Sequence, residues 1–192
     1  MRKDIKNQII DATIVLIEEN GSNTDKITIQ NICDRVGIGS GLVNYHFQTK
    51  ENLIAQCVQK MIGDVIGKFD TVYNALKDMT PEEKLRFMAK STCSYLVSHE
   101  SISRISILSD LNNNSLKDNT SQTVSAYFPL IRKVCLDSIS DQEVKEKTYL
   151  LTLTLQTAFL RSNSLKEEIG FDFKDEQQRA TLVDKVIDSF VF

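Results

Sequence analysis

Residues 28–53 read TIQNICDRVGIGSGLVNYHFQTKENL, and in this 192-residue chain they alone pair residue types and spacing that suit a definite chemistry. A hydroxyl residue, Thr28, stands where it caps a short helix, glycines follow at 37, 39 and 41, a second short stretch carries Tyr45, His46 and Phe47, and Thr49 and Lys50 open another helix. Short capped helix, glycine turn, short helix is the grammar of a helix-turn-helix. In that motif the first helix braces while the second lies in the DNA major groove. Glycine is disfavoured inside a helix by roughly 1 kcal/mol relative to alanine. Near the start of a recognition helix it has a use, because without a Cβ the backbone can come close to DNA. The same glycines would also serve as loops between core helices, and spacing alone leaves both readings open.

Catalysis finds poorer material. The only histidines are His46 and His99, and they form no i, i+4 metal pair; P-loop, dinucleotide fingerprint and nucleophile elbow are all missing. Cys93 and His99 lie six residues apart on one expected helix and so face different ways. The cysteines at 33, 57, 93 and 135 are too scattered for a zinc knuckle or redox pair, and read as free buried thiols in a reducing cytoplasm. No enzyme, metal site or cofactor is expected.

The elements that must position residues 28–53 are helices. Gly (7) and Pro (2) together make under 5% of the chain, where average usage gives about 12%, so a turn-rich sheet architecture is disfavoured. Apolar residues at Ile5, Ile9, Ala12, Leu16 and Ile17 form one face of a first helix, ended by Asn20-Gly21. Thr49 caps a long helix with Leu53, Ile54, Cys57, Val58, Met61, Ile62, Val65, Ile66 and Phe69 at helical spacing. Thr80-Pro81-Glu82-Glu83 combines a capping box with proline at the first helical position and opens a helix to about His99. A short segment 102–108 and an Asn-rich loop 112–121 follow, then a helix over 122–138 that Pro129 must kink or divide. Ser140 and Glu143 open a helix to about Ser164, 170–174 is a linker, and 175–191 is the last helix. The fold class is all-α, with about nine helices: a three-helix part over 1–49 that contains the helix-turn-helix, and a larger helical part over 50–192.

Charge neither supports nor refutes nucleic-acid binding. The net charge is −3, and residues 1–54 hold 6 Lys/Arg against 7 Asp/Glu. Lys3, Lys6, Lys26 and Lys50 nevertheless flank the expected recognition helix, while Asp11, Glu18 and Glu19 can face away. A few placed cations plus helix N-termini can hold phosphates without a basic domain. The longest apolar run, Ile14–Ile17, is far short of the roughly 18 residues of a membrane span, and no secretory signal is visible.

Gly37-Ile38, Gly39-Ser40-Gly41, Tyr45-His46-Phe47 and Lys50-Glu51-Asn52-Leu53 together resemble the DNA-binding domain of the TetR family of bacterial transcriptional regulators. The likeness covers about 50 N-terminal residues, and beyond them only length and helix count agree. It departs at Asn44, where many members have tyrosine, and at Gly39, where serine or threonine commonly caps the helix. The resemblance implies a cytoplasmic, homodimeric repressor, with a DNA-binding domain over 1–49 and a helical effector-binding and dimerisation domain over 50–192, that leaves a palindromic double-stranded DNA operator when a small molecule binds. Ser40, Gly41 and Asn44 would then approach base edges, and Thr28, Tyr45, His46 and Lys50 would contact phosphates. Phe47 would be core. Candidate walls of the effector cavity are Phe69, Tyr73, Tyr95, Tyr127, Phe128, Gln156 and Phe159, each equally compatible with ordinary packing. The dimer face would comprise Tyr149, Leu153, Thr157, Leu160, Arg161, Val183, Ile187 and Phe190. Without a DNA role, the same composition would suit a helical adaptor.

Overall fold

The computed structural model describes residues 4–21, 23–113, 115 and 117–191; the side chains of 65, 66 and 68–75 lie outside that description, as does Lys3. Among the described residues ten α-helices and one 3-10 turn follow in chain order: α1 (Ile5–Asn20), the turn Thr24–Lys26, α2 (Ile29–Val36), α3 (Ser40–Phe47), α4 (Lys50–Ala75), α5 (Pro81–Ser98), α6 (Glu100–Asn113), α7 (Asn119–Val134), α8 (Asp141–Leu160), α9 (Ser162–Ile169) and α10 (Glu176–Phe190). The chain forms two compact units, one of residues 1–64 with 99–109 and the other of 65–98 with 110–192. The 49/50 position marks the start of α4, which runs from the first unit into the second.

In the first unit α1 packs on α2 and α3, and α2 packs on α3. Each helix end has a local cause. Asp4 caps α1 by accepting from Lys6 N–H, and Gly21 ends it at φ 68°. Thr28 and Asn31 form a reciprocal capping box on α2. Gly37 closes α2 in the left-handed conformation at φ 75°, and the N–H groups of Gly37 and Ile38 both reach the Cys33 carbonyl, at 2.8 and 3.1 Å. The core comprises Ile9 and Ile17 of α1, Ile32 and Cys33 of α2, Val43 and Phe47 of α3, and Leu53, Cys57 and Val58 of α4.

In the second unit α7 packs on α5 and α8, and α10 packs on α5 and α8. Leu85 and Cys93, Ile131, Val144 and Leu151, and Val183 and Ile187 supply the core from α5, α7, α8 and α10 in turn. The expected capping boxes at Thr80/Glu83 and Ser140/Glu143 both form. In each, hydrogen bonds to the hydroxyl residue hold the glutamate carboxyl below its ordinary range. The linker before α10 is anchored by Phe173, fully buried, and by Arg179, whose guanidinium donates to the carbonyls of Phe173 and Lys174 at 3.0 Å each.

Three expectations shift. The short segment 102–108 belongs to a full helix, α6, whose buried side carries Ser101, Ser103, Ser106 and Asp110; with so many polar residues facing inward, the apolar period is hidden. The segment expected as an Asn-rich loop is accordingly taken up at its two ends by helix, α6 running to Asn113 and α7 starting at Asn119. The helix expected to reach Ser164 breaks at Arg161, whose backbone leaves helical geometry at φ −98° and ψ 17°, so that α8 and α9 are separate. At Pro129 α7 is undivided.

Candidate nucleic-acid interface

The recognition helix is held from one side and open on the other. Val43 and Phe47 of α3 are buried, while Ser40, Gly41, Leu42, Asn44 and Tyr45 are exposed. A Cβ built on Gly39 or Gly41 would meet nothing within 4 Å, so neither glycine is needed for packing inside this chain. Their backbone is accessible from outside instead. Gly39 is the N-cap of α3 and makes no side-chain cap, which leaves first-turn N–H groups without a capping acceptor.

Tyr45 is 79% exposed, with its ring edge-on to half-buried His46 at 5.1 Å between centroids. Phe47 is core, as expected, and the Lys6 ammonium lies 5.9 Å from its ring centroid. Thr28 is exposed, but its hydroxyl proton is directed at Asn31 Oδ1, 2.6 Å away, and its oxygen accepts Asn31 N–H at 3.1 Å. Lys50 is half-buried, and its Nζ donates to the Thr24 carbonyl at 3.1 Å.

Sequence reasoning missed the joint between α3 and α4. Gln48 sits at φ 65° and ψ −49°, and Thr49 N–H bonds to the Phe47 carbonyl at 2.7 Å. This is a three-residue γ-turn in a conformation that costs a non-glycine residue on the order of 1–3 kcal/mol. The turn sets Thr49 and Lys50 beside the C-terminus of α3. No side-chain type in the segment announces it.

The acidic residues of α1 are engaged within the unit. Asp11 pairs with Lys60, and Glu19 pairs with Arg35 at 2.8 Å. Glu18 accepts the N–H groups of Ser101 and Ile102 at 3.3 Å each, at the start of α6. An anion there complements the positive end of the helix.

The residues expected to line an effector cavity or a dimer face all fall in the second unit, two of them with side chains outside the described residues. Phe69 and Tyr73 belong to α4 but their side chains lie outside the described residues. Tyr127 is buried, its hydroxyl 2.6 Å from Thr92 Oγ1, and burial pushes its phenol up. Phe159 is buried against Phe173, 6.0 Å between centroids, while Tyr95 and Phe128 are half-buried. Gln156 bonds Thr120, which in turn bonds the Asp110 carboxylate at 2.8 Å. A groove of about 720 Å³ runs between α8, α9 and α10, lined in part by Leu153, Thr157, Arg161, Thr181, Leu182 and Lys185. Three of the expected dimer residues, Leu153, Thr157 and Arg161, line it. Val183 and Ile187 do not: both are fully buried in the unit's own core, so the outward side of α10 is Thr181, Leu182 and Lys185. Tyr149, Leu160 and Phe190 are half-buried.

Residues 9–57 match the family described as bacterial regulatory proteins, tetR family. The fatty acid metabolism regulator protein of Bacillus subtilis (strain 168) is 22% identical over 140 residues, which span 72% of this chain and 70% of that protein. A structure solved for the molecular basis of control of antibiotic production by a bacterial hormone superposes with a TM-score of 0.72 at 13% identity, covering 98% of both chains. FadR from Bacillus subtilis, solved in complex with stearoyl-CoA, superposes at 0.61 with 16% identity and covers 96% of each chain. At these identities the superpositions show a shared fold.

Proposed function

We propose that this chain, whose residues 9–57 match the tetR family of bacterial regulatory proteins, is a ligand-responsive transcriptional regulator, a repressor released from a palindromic DNA operator by a small molecule. The observation that carries this reading is the asymmetry of α3. Val43 and Phe47 lock one side of an eight-residue helix into the core, and the other side offers a hydroxyl, an open glycine backbone, an amide and a phenol to an outside partner.

In this reading Ser40, Gly41 and Asn44 meet base edges, while Tyr45, His46 and Lys50 meet phosphates. Thr28 marks the end of α2 that faces the backbone. Its hydroxyl proton is directed at Asn31 and its oxygen takes Asn31 N–H, so the donors offered to a phosphate there are the N–H groups of Ile29 and Gln30. Two such helices are needed about one DNA turn apart, roughly 34 Å, so the working form is a dimer. The face for the second copy is the groove of Leu153, Thr157, Arg161 and Leu182.

The effector is largely apolar, because the residues proposed to surround it are mainly aromatic. The stearoyl-CoA bound by FadR makes long-chain acyl thioesters the first class to try. Its release of DNA acts through α4, continuous from Lys50 to Ala75. The chain carries out no catalysis in this role and works in the cytoplasm; among the described residues no helix is long and apolar enough to cross a membrane.

The test is an electrophoretic shift on DNA from upstream of the chain's own gene, with and without saturating palmitoyl- and stearoyl-CoA. A retarded band that either thioester abolishes supports the full reading. Retardation unaffected by ligands found through a thermal-shift screen removes the allosteric half. If no genomic fragment shifts, the chain is a helical adaptor instead.

A further inference from the structure

Leu42 is the aliphatic residue that α3 leaves exposed. It is 41% exposed, although Val43 beside it is buried, and it lies three residues before Tyr45 on the outward side of the helix. On one flank is Gly41, whose missing side chain leaves open space. The isobutyl group is therefore part-covered by the chain and reachable by a partner, with no side chain at position 41 to shield it. It neither donates nor accepts hydrogen bonds, so a phosphate, a sugar hydroxyl or a base-edge amide gains nothing from it. Among the groups presented on base edges in the major groove, one is apolar: the C5-methyl of thymine.

We propose that Leu42 is a specificity-determining residue that packs on the C5-methyl of one thymine in each operator half-site. The inference rests on the DNA-binding reading and adds to it the base identity at one position. Polar neighbours Ser40 and Asn44 hydrogen-bond the edges on either side, and Leu42 reads the base that hydrogen bonds distinguish less well. Burying a methyl group against Leu42 corresponds to about a fourfold gain in affinity per contact.

Deoxyuridine differs from thymidine only by that methyl and keeps every hydrogen-bonding group, so it isolates the contact. The operator is first located by footprinting DNA upstream of the gene, and each thymine is then replaced singly by deoxyuridine. Wild type should lose about fourfold in affinity at one symmetry-related thymine in each half-site. Leu42→Ala should bind the thymine operator more weakly and show no uridine penalty at that thymine, while keeping the wild-type penalties, if any, elsewhere. Because Leu42 is exposed, the variant should retain the wild-type thermal midpoint, which confirms that the loss is local. Uridine penalties equal in the two proteins at every position, or no penalty anywhere in wild type, would overturn the assignment of Leu42 while leaving operator binding intact. The absence of any footprint would overturn the regulator reading, and this inference with it.

Discussion

Lys50 Nζ donates a hydrogen bond to the carbonyl oxygen of Thr24, 3.1 Å away and 26 residues earlier in the chain. The first residue of α4 thus ties down the 3-10 turn that leads into α2. An ammonium has three donors, so this bond leaves others for phosphate. Lys50→Ala should weaken binding to every DNA sequence alike and reduce the slope of log affinity against log salt by about 1. Fluorescence anisotropy over a salt series reads this directly. Asn44→Ala should behave differently, relaxing preference at one base pair by about 1–3 kcal/mol and leaving the salt slope alone. Parallel losses in both variants, with unchanged slopes, would mean that α3 does not enter the groove as assigned.

The groove between α8 and α10 leads to an assembly prediction that separates surface from core. Leu153 and Leu182 line the groove, with Leu153 42% exposed, whereas Val183 is fully buried in its own unit. Leu153→Glu should give a monomer in sedimentation at micromolar concentration, with a wild-type circular dichroism spectrum and loss of operator binding. Val183→Ala should stay dimeric and lose stability within the usual 0.5–3 kcal/mol of a core truncation. A dimer that survives Leu153→Glu would place the interface elsewhere.

How far the sequence carried depended on whether a residue's task was local. Capping boxes at Thr28, Thr80 and Ser140 are contained within four residues, so helix starts were readable from residue types alone. Long-range tasks were not. Glu18 caps α6, more than 80 residues away, yet its sequence neighbourhood only says that it can face outward. α6 itself was hidden because Ser103 and Ser106 turn inward, against the apolar period that marks a helix face. On α10, Val183 and Ile187 have the spacing of an interface stripe, but that spacing is the same for a stripe buried within the chain. Only the packing of α5 and α8 against α10 decides between the two. At the candidate site, residue types suggested which groups could bind, while the Gln48 turn and the Lys50 tether came from backbone geometry.

The four thiols should react in an order set by burial. Cys33, Cys57 and Cys93 are buried and Cys135 is half-buried. Burial pushes the Cys57 and Cys93 thiols up to about 12, so at neutral pH they hold almost no thiolate, the reactive form. In native protein Ellman's reagent should label Cys135 first and the other three at the rate of unfolding, with all four labelled at once in denaturant. Cys135→Ser should abolish the early phase. Early labelling of two or more thiols would contradict the buried placement.

Asp110 offers a test of how α6 is joined to α7. Its buried carboxylate accepts both the N–H and the hydroxyl of Thr120, each at 2.8 Å, with Asp118 adding a like charge nearby. Burial raises its pKa above the ordinary aspartate value of 3.8, and the Thr120 hydrogen bonds only partly oppose that rise. A carboxyl raised in the folded state binds its proton more readily there than in the unfolded chain. Its stabilising contribution is therefore complete below the unfolded pKa and is lost as pH rises through the folded one. Asp110→Asn removes this dependence and keeps one acceptor for Thr120. Urea unfolding at steps from pH 7 down to about pH 4 should then show wild type gaining on the variant as the pH falls through the interval above 3.8. A gap that stays constant, or that moves toward the variant on acidification, would show that the hydrogen bonds from Thr120 outweigh burial and that Asp110 is held as a charged cap on α7.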